Sequence, residues 1–176
     1  ILLLYIVFKP FISKAKNQLH NHSPHNLKLE IASTSVYKTK NIAVSVDFSD
    51  ADQAAINNAL ELGGTEANYT FIHIVETVGA MVYGNTIEDQ ETLIDAKLLA
   101  EYKERLSQKG FNVKTKLGFG KPHKVIPEII NTGKYDVLVM GTHGHTGFKD
   151  LLFGTTVNKL RHKISIPLFI VKNKKV

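Results

Sequence analysis

The stretch YDVLVMGTHGHTGFKDLLFGT, residues 135–155, decides how this chain is read. An apolar run at 135–140 leads into glycines at 141, 144 and 154, in the pattern G-x2-G-x9-G-[ST] closed by Thr155. A strand that feeds a glycine-rich turn and then a helix is a device for holding a phosphate chain. Glycines permit positive φ and let backbone N–H groups approach closely, and a helix N-terminus favours negative charge. Nucleotide binding is therefore the first expectation.

Outward from that stretch the same alternation recurs. NIAVSV at 41–46 reads as a first strand ended by Asp47 and Phe48. Ser49 stands three residues before Asp52, a capping-box variant opening a helix with Ala55, Ala59 and Leu62 on its inward face; Gly63 and Gly64 stop it. YTFIHIV at 69–75 is a second strand, and a long helix follows from about 87 to 108 with Ala96, Leu99, Tyr102 and Leu106 as its stripe and Gly110 as its end. NVKTKLGF at 112–119 alternates as a half-exposed third strand. Gly120 and Pro122 introduce a helix carrying Val125, Ile126, Ile129 and Ile130, in which Pro127 implies either a late start or a kink. The fourth strand is 135–140, the last helix runs from 155 to about 163, and IPLFIV at 166–171 is the fifth strand. Five strands separated by helices predict an α/β fold, a parallel sheet covered on both faces. In such sheets ligands bind beyond the carboxyl ends of the strands, where strand order reverses. If strands one and four are neighbours, Asp47 and Gly141 face one crevice.

Composition narrows the field. With 176 residues, 43% apolar and no cysteine, the chain has material for a packed domain and none for disulfides or thiolate metal sites. The net charge of +6 hints at nucleic acid until it is divided: residues 1–40 hold six cations against Glu30, leaving 16 cations and 15 acids in 41–176. The excess belongs to the leader, and no nucleic-acid partner is expected. That leader opens ILLLYIVF from Ile1, then Lys9, Lys14 and Lys16. An apolar run followed by lysines fits the end of a transmembrane or membrane-associated helix leaving on the cytoplasmic side, so 1–16 is expected to continue from a membrane part upstream. Residues 17–40 read as a basic linker, in which His20, His22 and His25 are expected to be solvated rather than metal-bound, and 41–173 as the nucleotide-binding domain.

The words VDFSD at 46–50, VLVMGTHGHTG at 137–147, FGTTVNKL at 153–160 and the closing IPLFIVK resemble the ATP-binding branch of the universal stress protein family. The resemblance runs from residue 40 to 172 in the expected element order. It implies a sheet of order 3-2-1-4-5, as in the adenine nucleotide alpha hydrolase-like fold, and a homodimer through strand 166–171. It also implies ATP, with or without magnesium, between the ends of strands one and four. Carried over residue by residue, Ser45, Asp47 and Ile74 touch the nucleoside, and Met140 and Gly141 line its adenine and ribose side. Gly144, Gly154, Thr155, Thr156 and Val157 wrap the phosphates, with His143 in reach of one. His145 stands where many relatives carry arginine, exchanging a fixed charge for a titrating one, and the order Thr156-Val157 departs from the usual Ser-Val.

Other nucleotide-handling classes lack their marks. No S-G-G-x-D-S loop follows strand one, no H-I-G-H occurs, and strand three ends in Gly118, Phe119 and Gly120 rather than a phosphoacceptor aspartate. No serine, histidine and acid grouping forms a convincing nucleophile. The expectation is thus a regulatory ATP-binding domain, at most a slow ATP hydrolase, at the cytoplasmic end of a membrane transporter, with an Nramp-like metal-ion carrier as the example. The alternative is a free-standing homodimeric stress protein with a basic N-terminal extension.

Overall fold

The computed structural model describes residues 39–76, 90–142 and 155–172. The expectations for 1–16 and for nearly all of 17–40 fall outside these residues. Among the described residues, no helix is long and apolar enough to cross a membrane.

Strands β1 (Asn41–Ser45), β2 (Asn68–Val75), β3 (Asn112–Phe119), β4 (Val137–Thr142) and β5 (Leu168–Lys172) form one parallel sheet in the order β3-β2-β1-β4-β5. Helices α1 (Asp50–Gly63) and α2 (Gln90–Ser107) cover one face, where Ala55, Ile56, Ala59 and Leu99 meet Ile42, Val44, Phe71 and Val139. Helices α3 (Pro122–Thr132) and α4 (Thr155–Leu160) cover the other, where Ile126, Ile130, Val157 and Leu160 meet Ala43, Ile72, Leu138 and Met140. Alternate residues of the central strands thus enter opposite cores, which is why those strands read as nearly continuous apolar runs. Each fully buried large side chain contributes roughly 1.5–3 kcal/mol relative to exposure.

Several boundaries differ from the sequence reading, each for a local reason. β4 starts at Val137 rather than 135, because the Asp136 carboxylate accepts from Lys40 N and Asn41 N at 2.8 Å each and fixes the entry of β4 beside β1. It also extends two residues further, so Gly141 and Thr142 lie in the strand, opposite Val171 and Lys172. β5 begins after Pro167, which has no N–H for the ladder, although its carbonyl still accepts from Leu138 N at 3.0 Å. α4 is shorter than expected: it closes at Leu160 in a turn where Lys163 N donates to the Leu160 carbonyl.

Pro127 lies inside α3, which starts at Pro122, so the late-start alternative is excluded. The His123 carbonyl one turn back loses its helical donor and accepts instead from Lys163 Nζ at 3.3 Å. Two inward positions are also corrected. Leu62 is 46% exposed, since the last turn of α1 runs past the sheet, and Ala96 faces solvent while Thr92, Asp95, Leu99, Tyr102 and Leu106 form the inward side of α2. Gly64 ends α1 at φ 61 and Gly110 follows α2 at φ 86, so both helix stops fall where expected.

Candidate functional site

The switch point lies between β1 and β4, which pair directly: the chain moves to one side of β1 through β2 and β3, then crosses to the other with β4. Beyond the carboxyl ends of these strands opens a cavity of about 340 Å³. Its walls are Ser45, Val46 and Asp47 from the end of β1, His73, Ile74 and Glu76 from β2, Met140, Gly141 and Thr142 from β4, Pro122 and Ile126 from α3, and Thr156 and Val157 from α4. That volume falls in the range of small-molecule sites, roughly 300–1,000 Å³. Ile74, Ile126, Met140 and Val157 give it an apolar side suited to a planar ring. Asp47, Ser45, Thr142 and Thr156 supply acceptors and hydroxyls for a polar one.

The turn that presents Asp47 is held from inside the protein. Phe48 adopts φ 59, and the Asp52 carboxylate accepts from Phe48 N at 2.8 Å and from Asp47 N at 3.1 Å. Asp47 Oδ1 in turn accepts from Ser49 N at 3.2 Å, while Ser49 Oγ caps α1 by accepting from Ala51 N. The capping-box reading therefore holds for Ser49 and changes for Asp52. Instead of reaching back only to the cap, this side chain reaches past it and ties down the end of β1. Asp52 is 3% exposed, and its pKa is pushed up to about 7, first by burial and next by the charge of Asp47.

His73 forms a second support. Its Nδ1–H donates to the Val46 carbonyl at 2.9 Å, its Nε2 lies 3.1 Å from Asp95 Oδ2 on α2, and its ring sits 4.3 Å from that of Phe48. Tyr102 closes the far side of Phe48, edge-on at 5.7 Å. The left-handed turn at Phe48 is thus braced by ring packing on one side and by Asp52 on the other.

Of the residues expected at the site, Ser45, Asp47, Ile74, Met140, Gly141, Thr156 and Val157 share this one cavity. Thr155 is the first residue of α4. His143, Gly144 and Gly154 lie outside the described residues, as do His145 and Gly147. Gly141 is needed for a different reason than expected. It carries no positive φ, but a Cβ there would lie 2.8 Å from both the Cβ and the carbonyl oxygen of Ala51, so the glycine lets α1 pack against β4. Glu76, His73, Pro122 and Ile126 were missed. The signal for Glu76 and His73 was their position at the end of a strand adjacent to β1, and for Pro122 it was the start of the helix that follows β3. Among the described residues, no group of histidines and acids is arranged to hold a metal ion.

Comparison with known proteins agrees with this architecture. A universal stress protein of Methanocaldococcus jannaschii is 25% identical over 155 residues, covering 77% of this chain and 96% of its own. The solved structure of that protein superposes with a TM-score of 0.67, covering 79% of this chain and 99% of the other. Two further solved structures share the fold at TM-scores of 0.58. One is a universal stress protein in complex with cAMP, 17% identical and covering 78% of this chain and 99% of its own. The other is from Archaeoglobus fulgidus in complex with dAMP, 18% identical and covering 77% and 99%. The family model itself matches residues 38–172, the whole span of the sheet and its helices, and the chain therefore belongs to the universal stress protein family.

Proposed function

We propose that the cleft binds an adenine nucleotide, ATP in the first place, and that the domain acts as a nucleotide-responsive regulator rather than a dedicated enzyme. The observation that carries this reading is the meeting of seven residues that the family resemblance assigned to a nucleotide, from β1, β2, β4 and α4, around a single cavity at the strand switch point. The base would lie against Ile74, Met140 and Val157, the ribose hydroxyls would donate to Asp47, and the phosphates would run toward Thr156 in the first turn of α4. That two solved relatives hold cAMP and dAMP supports an adenine nucleotide as the ligand class. Occupancy acts on its surroundings only through a difference in affinity between two states, so the regulatory step requires the nucleotide to favour one conformation or one assembly.

The assembly we propose is a homodimer through β5, an edge strand on which Phe169 is 47% exposed. For the carrier, the apolar residues 1–8 and the lysines behind them support a domain held at the cytoplasmic face of a membrane transporter. The free-standing dimer with a basic extension stands beside it. The gene sequence upstream of Ile1 separates them, since an in-frame start codon within a few residues removes the fused arrangement.

The nucleotide reading is tested by calorimetric titration of the full chain with ATP, ADP and cAMP, with and without magnesium, alongside Asp47→Ala and Gly154→Asp. Saturable heat in the parent, lost in both variants, is the expected result. Absence of binding by the parent at millimolar ATP refutes the site.

A further inference from the structure

The near-neutral balance of residues 41–176 conceals a separation of charge between the two helical layers. Helices α1 and α2 with the turn at 108–110 carry six acids besides the buried Asp52 (Asp50, Glu61, Glu91, Asp95, Glu101, Glu104) against four cations (Lys97, Lys103, Arg105, Lys109). On the opposite face, α3 with its cap residue Lys121, and α4 with the turn at 161–163, carry Lys121, Lys124, Lys159, Arg161 and Lys163 against Glu128 alone. All five of those cations are exposed, and none of them lines the cleft.

They are gathered rather than scattered. α3 and α4 share one core beneath them, through Ile126, Ile130, Val157 and Leu160. Lys163 is drawn to α3 by the carbonyl that Pro127 leaves free, and Asn131 Nδ2 holds the Lys163 carbonyl at 3.0 Å. His123, on α3 among them, has its pKa lowered, first by desolvation and then by the charges of Lys159, Lys163, Lys121 and Lys124.

We propose that this basic face docks the domain on an anionic phospholipid surface. Exposed lysines spread over two helices offer hydrated point charges to many headgroup phosphates at once. A bidentate grip on one ligand would call for arginine forks in a pocket. The acidic layer on the far side makes the attraction directional, because the same surface repels α1 and α2. Residues 1–16 of the same chain combine an apolar octet with Lys9, Lys14 and Lys16, a composition that partitions to bilayers. The linker 17–40 would then hold the domain at a high local concentration of lipid. The docking stands apart from the nucleotide reading, since none of its cations belongs to the cleft.

Co-sedimentation of the full chain with phosphatidylcholine vesicles, with and without phosphatidylserine, tests it. The parent should bind the serine-containing vesicles in preference and lose that preference at high salt. At about fivefold per lysine near such a surface, the loss of three cations alone weakens the partition by roughly a hundredfold, so the triple reversal Lys124→Glu, Lys159→Glu, Lys163→Glu, which also adds three repelled carboxylates, should weaken it by more than that. Reversal of Lys97, Lys103 and Lys109 to Glu on the other side, with the same change in net charge and the same leader, should leave it near the parent. Far-UV circular dichroism and thermal melting check that each variant folds. If the triple reversal does not fold, the milder pair Lys124→Gln, Lys159→Gln should lower binding by about twenty-five-fold. Equal loss in both triple reversals, indifference to phosphatidylserine, or a basic-face variant that abolishes self-association while still binding vesicles would each overturn the proposal.

Discussion

Asp52→Asn should remove most of a loss of stability that the parent suffers as pH rises from about 4 to about 7. The Asp52 carboxyl ionises near 3.8 in the unfolded chain and near 7 in the fold, where burial is the larger cause and Asp47 the next. Below about pH 4 both states hold the proton and stability is at its fullest. Between about 4 and 7 the unfolded chain releases it while the folded one retains it, so stability falls as pH rises and levels off above about 7. Converted in full, the displacement corresponds to ~4 kcal/mol. Relaxation and water penetration around a buried carboxylate offset part of the cost, so about 2 kcal/mol is the working figure. Asparagine keeps the tie, because the single oxygen Oδ2 already accepts from both Phe48 N and Asp47 N, and an amide oxygen can replace it. Its amide group then faces the Asp47 carboxylate as a donor. Urea unfolding at about pH 3.5 and about pH 8 is the measurement. Parent and variant should be close at the lower pH, where both folded and unfolded Asp52 hold the proton, and the variant should be more stable at the higher one by about 2 kcal/mol. A stability difference that is the same at both values would refute the assignment of the buried charge to Asp52.

Gly141→Ala should destabilise by about 1–3 kcal/mol in urea unfolding, because the new methyl meets Ala51 backbone at 2.8 Å and α1 must shift; it should also weaken nucleotide binding, as α1 starts from the Asp47 turn. His73→Ala strands the Val46 carbonyl and Asp95 and removes the ring under Phe48, for an expected loss of about 2 kcal/mol, read the same way. Phe169→Glu should leave the thermal midpoint of the monomer nearly unchanged, the side chain being 47% exposed, while sedimentation velocity shows a dimer in the parent and a monomer in the variant.

What the sequence made legible, and what it hid, follows from where the information for each residue lies. The five strands, their order by resemblance and the Ser49 cap come from local pattern, and they stand. Strand ends were displaced where a distant partner sets them: Asp136 binds the amides of Lys40 and Asn41 nearly a hundred residues away, so no window around residue 136 contains the reason. One position of the inward stripe of α2, Ala96, was misplaced for a related cause, while Leu99, Tyr102 and Leu106 stand. Hydrophobic periodicity selects Ala96, yet Asp95 turns inward because His73, on a strand across the core, is waiting for a carboxylate.

The same contrast runs through the cleft. Asp47 and Gly141 could be named from the strand ends they follow, and Ser45 and Met140 through the family resemblance. Glu76, Pro122 and Ile126 could not, since they reach the cavity only through the pairing of β2 with β1 and the return of α3 over it. Asp52 was visible as a cap and invisible as a buried acid, because its burial depends on the left-handed turn at Phe48, which no composition requires. Each polar residue that defeated the pattern reading serves to fix the end of β1 or the helix beside it. Asp52 holds the turn, His73 holds Val46 and meets Asp95, and the chain gives up apolar packing at those positions in exchange for a defined position of Asp47. If the cleft recognises ribose hydroxyls as proposed, it needs that definition more than it needs stability, since an acceptor displaced by an ångström loses most of its hydrogen bond. The misread residues are therefore the ones that make the legible ones functional.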